Sequence, residues 1–194
     1  MNTDPRGTLR DAVDQAGALV AATTDDALAR STPCDEFDVR ALLNHMDGVL
    51  RRIAHVLDGG APFDVPSSVD GFADDDRDTV WKDDAATLGQ RLDDDSVLDR
   101  MVTVPFGTMP GRAAIAVYVN ELTTHAWDLA SAIGRPDLLE DALATYALEV
   151  IQDALPEEPR GGPIPFGPVV AVGPDAAAYE RLAGWLGRDP AWRA

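Results

Sequence analysis

The chain is poor in cysteine: its 194 residues include only one, Cys34. A single cysteine excludes an internal disulfide and any zinc site built from several thiolates. Cys34 could be a catalytic thiol, but we favour the interpretation of a small residue near the start of a helix. We therefore expect no redox chemistry within the chain.

Long hydrophobic runs are also missing, and none approaches the roughly 20 residues that span a bilayer. The first residues, 1–5, have neither the basic start nor the apolar segment of a signal peptide. The sequence thus predicts a cytoplasmic protein without a membrane partner. Hydrophobic residues make up 45% of the chain, enough for a real core, so we expect a single domain over residues 1–194.

Basic residues are scarce as well. The 16 Lys and Arg residues face 34 Asp and Glu, giving a formal net charge of -18, and Lys82 is the only lysine. A surface this acidic repels phosphate backbones and anionic lipid headgroups. DNA, RNA and membrane surfaces are therefore poor partners, and an anionic substrate would need a local arginine or a metal ion.

Hydrophobic periodicity predicts a mainly α-helical protein of four long helices with short extra helices and strands. Asp38 has the chemistry of an N-cap, and Gly134 that of a helix stop. Long helices with one-sided apolar stripes pack as a bundle. The predicted helices are 8–29, 38–58, 74–92, 112–133, 137–154 and 175–186, and the predicted extended segments are 101–104 and 169–172.

Histidine is rare too, and two of the three histidines lie beside predicted buried stripes. Glu121 and His125 are four residues apart, which places them on one helix face with Cβ atoms about 6 Å apart. His45 lies on the flank of the stripe of another helix, while His55 falls opposite that stripe and is predicted to be exposed. Two imidazoles and a carboxylate are a common ligand set for zinc and related metals.

This spacing alone leaves other interpretations open. Glu121 could pair with His125, Arg112 or Arg40, and His45 could be an ordinary half-buried histidine. Asp128, one turn after His125, could accept a hydrogen bond from a ligand imidazole, although helix capping or solvation would explain it equally well. No phosphate-binding loop and no nucleophile elbow occurs in the sequence.

Two segments resemble a known family. Residues 32–45, TPCDEFDVRALLNH, resemble the motif TPC-x-x-W-x-V-R-x-L-L-x-H, with Phe37 in place of Trp. Residues 121–130, ELTTHAWDLA, resemble E-L-x-x-H-x-W-D-L-A, and Gly-Arg-Pro follows at 134–136. Together they are similar to the DinB-like superfamily, in particular the N-terminal domain group of actinobacterial mycothiol-dependent maleylpyruvate isomerases.

The resemblance implies an up-down-down-up four-helix bundle with a divalent metal at one end. Its metal ligands would be His45, Glu121 and His125, and the metal would be zinc, with nickel, iron or manganese as alternatives. The resemblance also implies a small-molecule thiol, mycothiol or bacillithiol, whose sulfur binds the metal and attacks a small electrophilic substrate.

Three function classes follow. The first is a metal-dependent thiol transferase or isomerase, the second is a hydrolase using metal-activated water, and the third is a non-catalytic module that binds a metal or ligand. The isomerases proper carry a second, sterol-carrier-like domain, for which 194 residues leave no room, so we expect a substrate other than maleylpyruvate. The Pro/Gly-rich segment around Ile164-Pro165-Phe166 could cover the pocket instead. A homodimer is also expected, as for many acidic helical bundles.

Overall fold

A computed structural model describes residues 4–74, 76–161 and 166–193 of the chain. This part of the chain forms six α-helices and one antiparallel hairpin, with short 3-10 turns between them. The elements are α1 Arg6–Ala22, α2 Val39–Leu57, α3 Arg77–Leu92, β1 Met101–Val104, β2 Gly107–Pro110, α4 Gly111–Ile133, α5 Asp141–Ala154 and α6 Ala178–Trp185.

Polar contacts between the first and third helices fix their relative direction. Arg10, near the start of α1, donates to Asp93, which directly follows α3. Arg77, the first residue of α3, donates to the carbonyl of Thr23, which directly follows α1. The start of each helix therefore lies beside the end of the other, and the two helices are antiparallel.

The second helix runs parallel to α3, because Arg51 pairs with Asp84 midway along both and Asp58 pairs with Arg91 at their ends. The fourth helix runs antiparallel to α2. Its first residue, Gly111, donates to the carbonyl of Arg100, whose guanidinium in turn donates to the carbonyl of Leu57 at the end of α2. The order is thus up-down-down-up, as expected of a DinB-like bundle.

The two further helices cover one side of this bundle. α5 packs on α4, and α6 packs on α5. Their core is a separate apolar cluster that includes Trp127 of α4, so Trp127 is a packing residue. The main core fills the bundle with aliphatic side chains, including Leu42, Leu50, Ile115 and Leu122.

Several local signals have their expected structure. Asp38 caps α2, its Oδ1 accepting a hydrogen bond of 2.8 Å from the amide of Ala41. Gly134 ends α4 with a φ of 72°, a left-handed conformation that glycine adopts at little cost. The extended segment 101–104 is strand β1, paired with β2.

Other boundaries were wrong. The helix predicted over 8–29 ends at Ala22, since Thr23 and Thr24 are extended before a separate 3-10 turn. The helices predicted from 74, 137 and 175 begin at Arg77, Asp141 and Ala178. Asp76 is the N-cap of α3, and Asp75 lies outside the described residues.

The strand predicted over 169–172 does not form. The amide of Val170 bonds instead to the carbonyl of Gly184, at 2.8 Å, so this apolar run pairs with the end of α6 and not with a strand. None of the helices in the described ranges combines the length and hydrophobicity that crossing a bilayer requires.

One buried carboxylate in α2 predicts a pH effect on stability. Asp47 is fully buried beside Arg51 and Asp84. Burial raises the pKa of Asp47 to about 7, with Arg51 opposing the shift and Asp84 adding to it. Because this folded-state pKa exceeds the unfolded one, the folded protein loses stability as the pH rises from about 4 to about 7.

Asp47→Asn should therefore stabilise the protein at pH 8, by on the order of 1 kcal/mol, and have little effect at pH 4. Urea unfolding at the two pH values measures this difference. Parallel pH dependence in the variant and the natural chain would refute the assignment to Asp47.

Candidate metal centre

Two helices of the bundle bring His45, Glu121 and His125 together. His45 lies in the second turn of α2, and the other two residues lie one turn apart on the face of α4 that meets α2. One ligand atom from each side chain lies within 4.8 Å of the other two. Helical spacing predicted the pair on α4, whereas the packing of α2 against α4 supplies the third member.

The spacing of these atoms is close to that of a coordination sphere. The Nε2 atom of His45 lies 3.3 Å from Oε1 of Glu121, and the Nε2 atom of His125 lies 3.7 Å from the same oxygen. The imidazole rings are 4.9 Å apart between centroids and inclined at 79°. Tetrahedral zinc ligands at 2.0–2.1 Å from the ion lie roughly 3.3 Å from one another.

A backbone carbonyl fixes the protonation of His45. The Nδ1 atom of His45 donates to the carbonyl oxygen of Ser67 at 2.7 Å. Because a carbonyl only accepts, Nδ1 carries a proton, so the neutral form of the ring has its lone pair on Nε2, the nitrogen that faces Glu121. Phe37 stacks on the same ring, with centroids 4.9 Å apart, so the aromatic residue that replaces Trp keeps a packing role.

A carboxylate does the same for His125. Its Nδ1 lies 3.0 Å from Oδ2 of Asp128, one turn along α4, and a carboxylate also only accepts. Asp128 is fully buried and receives a second partner, Arg188, at 2.8 Å on each oxygen. The Nε2 lone pair of His125 is therefore also directed toward Glu121.

The carboxylates of this cluster are strongly acidic. Burial opposes ionisation of Glu121, but in the protonated form of the imidazoles the hydrogen bond with His45 and the charge of His125 outweigh it and lower the pKa to about 2. Burial likewise opposes ionisation of Asp128, and its bond with His125 and the charge of Arg188 lower the pKa of that carboxyl below its ordinary value. Both groups are thus anionic at neutral pH, the form in which a carboxylate can bind a metal ion or accept a hydrogen bond from a histidine.

The two arginines considered as partners of Glu121 are engaged elsewhere. Arg40 pairs with Asp74, and Arg112 pairs with Asp99. His55 lies apart from the cluster and is 3.5 Å from Asp64, but it is half-buried, so the prediction of an exposed side chain was wrong.

A second group of potential ligands, Cys34 with His125 and Asp128, also has atoms within 4.8 Å of one another. Both oxygens of Asp128 are already bonded to Arg188 and His125, so this group offers fewer vacant donors. Burial and the nearby charge of Asp128 raise the pKa of the Cys34 thiol. A protonated thiol is a poor ligand and nucleophile, in agreement with the structural interpretation of Cys34.

The cluster opens into a cavity of about 650 Å³. Aromatic side chains form part of its wall, namely Phe37, Phe166 and Trp192. Thr124, one residue before His125, also lines it, and the buried hydroxyl of Thr124 has no hydrogen-bond partner in the described part of the chain. Of the segment expected to cover the pocket, Phe166 lines it, and Ile164 and Pro165 lie outside the described residues.

The donor set fits a divalent metal. Two imidazole lone pairs and one carboxylate converge, and each imidazole is held through its other nitrogen by an acceptor, the usual support of a metal-binding histidine. Three protein ligands beside a cavity leave coordination positions for another molecule.

Fold and residues together define a DinB-like helical protein. The chain belongs to the mycothiol maleylpyruvate isomerase N-terminal domain family, whose model matches residues 9–130. It is also similar to two Mycobacterium tuberculosis proteins, uncharacterized protein MT0763 of strain CDC 1551 / Oshkosh and uncharacterized protein Rv0738 of strain ATCC 25618 / H37Rv. Each is 26% identical over 185 residues, which cover 95% of this chain and 98% of the relative. No solved structure matches the chain significantly.

Two parts of the centre escaped sequence reasoning. Ser67 contributes a backbone carbonyl, which has no residue signature. Arg188 lies 60 positions after Asp128, beyond the range matched by the family. Its only local signal is the preceding glycine, which indicates a helix end and not a contact with Asp128. Asp128, by contrast, was identified from its spacing to His125.

Proposed function

We propose that this chain is a divalent-metal-dependent, mycothiol-dependent thiol transferase or isomerase acting on a small electrophile. Membership of a mycothiol-related isomerase family supports the thiol and the class of chemistry. The observation that carries the proposal is the convergence of two imidazole lone pairs and one carboxylate at the wall of a cavity. We infer that His45, Glu121 and His125 are the metal ligands, with zinc the first candidate.

The chain's residues would bind the metal and orient the reactants, and the metal would activate the thiol. A divalent ion held by His45, Glu121 and His125 would stabilise the thiolate of an entering thiol and so favour the loss of its proton near neutral pH. His45 and His125 are held in one tautomer by Ser67 and Asp128, which leaves little freedom to lose on binding.

An activated thiol has to be shielded from water, and apolar side chains in the cavity wall can provide this shielding. Phe37 packs on His45, and Phe166 and Trp192 form other apolar parts of the cavity wall. Low local polarity strengthens the interaction between a thiolate and its cation. Thiolate addition to an activated double bond followed by elimination of the same thiol gives isomerisation, whereas displacement of a leaving group gives thiol transfer.

The charge of the cavity indicates the class of electrophile. Among the described residues that line it, Arg188 is the only arginine or lysine, and its guanidinium is already paired with Asp128. Exposed carboxylates of Asp35, Glu36 and Asp189 stand at the rim. An approaching dicarboxylate would be repelled there, and Glu121 and the thiolate would balance the charge of a bound divalent ion, so we infer that an uncharged electrophile is the better substrate.

The metal-loaded protein should therefore accelerate the addition of mycothiol to a neutral fumarate diester at least about tenfold more than its addition to the fumarate dianion, each relative to the uncatalysed rate. Replacing Asp35 and Glu36 by Asn and Gln should lower this ratio of the acceleration for the diester to that for the dianion. A preference for the dianion would contradict the proposed substrate class.

Binding of the thiol can be tested apart from turnover. Cobalt-substituted protein titrated with mycothiol should develop a sulfur-to-cobalt charge-transfer band, and the protein with Glu121→Gln should not. Absence of the band together with ester hydrolysis by the metal-loaded protein would favour the hydrolase. A metal spectrum that no thiol, ester or anion alters would favour the non-catalytic module.

A further inference from the structure

Arg188 is a buried cation that the proposed chemistry does not use. Its side chain is 13% exposed, and it lies in the segment after α6, outside the range 9–130 matched by the family. Its Nε donates to Oδ1 of Asp128 and its Nη2 donates to Oδ2, both at 2.8 Å. A bidentate pair of this kind fixes the plane of the carboxylate as well as its position.

The end of α6 holds Arg188 in place. Gly187 has a φ of 79°, its amide donates to the carbonyl of Gly184, and the amide of Arg188 donates to the carbonyl of Ala183 at 3.0 Å. This is the Schellman arrangement that ends a helix in one defined direction. Gly167 packs against Gly187, where an added Cβ would come within 2.8 Å of its backbone, so the turn is also enclosed from outside.

The same oxygen that Arg188 fixes receives the proton of His125. Oδ2 of Asp128 accepts from Nη2 of Arg188 at 2.8 Å and from Nδ1 of His125 at 3.0 Å. Because Asp128 is fully buried, no solvent can take over either contact. The direction of the carboxylate therefore determines which nitrogen of His125 bears the proton and where the other nitrogen points.

We propose that Arg188 is a positioning residue of the metal centre: by clamping Asp128 it holds His125 in the tautomer whose Nε2 lone pair faces Glu121. Its importance for function rests on the proposed metal site, but its effect on His125 does not require a metal. The C-terminal segment thereby completes a centre whose ligands all come from the bundle. This role differs from merely anchoring that segment, because it predicts a change at one imidazole nitrogen.

The first test uses the metal-free protein. The chain has only three histidines, so a long-range ¹H–¹⁵N spectrum of the imidazoles resolves each ring. In the natural chain, at a pH where the rings are neutral, His125 should be the Nδ1-protonated tautomer. In Arg188→Met, and to a lesser degree in Arg188→Lys, its signals should shift toward the Nε2-protonated tautomer, while those of His45 and His55 stay in place.

Arg135→Met is the matched control. Arg135 donates to Asp137 through the same Nε and Nη2 atoms, but this pair is exposed and lies in the turn after α4. It should leave all three rings unchanged. Unchanged His125 signals in folded Arg188→Met would overturn the proposal, and so would unchanged signals in Arg188→Lys if the methionine variant does not fold.

The second test measures metal affinity by competition with a chelator. Removing an outer partner of a metal-binding histidine costs 10–100-fold in affinity, and Arg188→Met should weaken binding by about that factor. Adding Arg188→Met to Asp128→Asn should weaken it little further, because both act through one carboxylate. If the two substitutions reduce the metal affinity by independent factors that multiply, Arg188 does not act through Asp128.

The two proposals fail in different ways. If the natural chain binds no divalent metal, the proposed function fails, yet the tautomer measurement still decides the role of Arg188. If the natural chain binds metal and Arg188→Met binds it equally well with an unchanged cobalt spectrum, the metal site stands and the positioning role is wrong.

Discussion

His125→Ala is expected to abolish metal binding. The variant removes one of the three proposed ligands and leaves Asp128 without the imidazole that it orients. Since loss of an outer partner already costs 10–100-fold, loss of a ligand should weaken binding by more than about 100-fold. Elemental analysis after dialysis against a limiting concentration of zinc measures the effect, and circular dichroism checks that the helices persist.

His55→Ala is the matched control, because His55 is the same residue type on α2, two turns and more beyond His45 and outside the cluster. It should retain full metal content. Equal loss in both variants would show that the metal binds elsewhere, and full content in His125→Ala would remove this residue from the ligand set. Glu121→Gln, which keeps the shape and removes the charge, should resemble His125→Ala.

Gly48→Ala is expected to damage both the fold and the site. Gly48 lies three residues after His45 on α2, and a Cβ there would stand 2.8 Å from the backbone of Ser67 and Ser68. The loop would have to move outward, and the carbonyl of Ser67 would move with it, away from Nδ1 of His45. We expect a loss of about 2 kcal/mol in the free energy of unfolding and metal binding weakened by about tenfold.

Gly7→Ala provides the comparison for Gly48→Ala. Gly7 lies in the exposed first turn of α1, where an added Cβ would meet nothing within 4 Å. Alanine is the better helix former, so this variant should be neutral or slightly stabilising and should bind metal normally. Urea unfolding and chelator competition on both variants separate the two cases. A Gly48→Ala protein of natural stability and affinity would show that the loop yields freely.

Within single helices the sequence carried most of the information. The pairing of Glu121 with His125, the candidate support Asp128, the cap at Asp38 and the end at Gly134 were all predicted. Each depends on residues within about four positions, whose relative placement follows from the 3.6-residue turn. Helix boundaries were predicted less well where the local chemistry was ambiguous. The first helix, for example, ends at Ala22 with Thr23 already extended, whereas the predicted end was residue 29.

The apolar run 169–172 shows the opposite case. Its β-branched residues favour extended backbone, but a strand exists only where a partner strand lies beside it. The structure places the turn of Gly184 there, and the run remains an irregular segment bonded to a helix end. No property of the run itself could predict that neighbour.

The sequence by itself determined the helices, their buried faces and the pairing of Glu121 with His125 on one face, because these follow from short-range periodicity, and it named His45 as the third candidate ligand. Tertiary structure alone placed His45 opposite Glu121, brought the carbonyl of Ser67 to His45, and set Arg188 on Asp128 from 60 positions away. Such contacts depend on how whole helices pack. Many small apolar interactions across the core together set the register between packed helices. No local pattern of residues predicts that register.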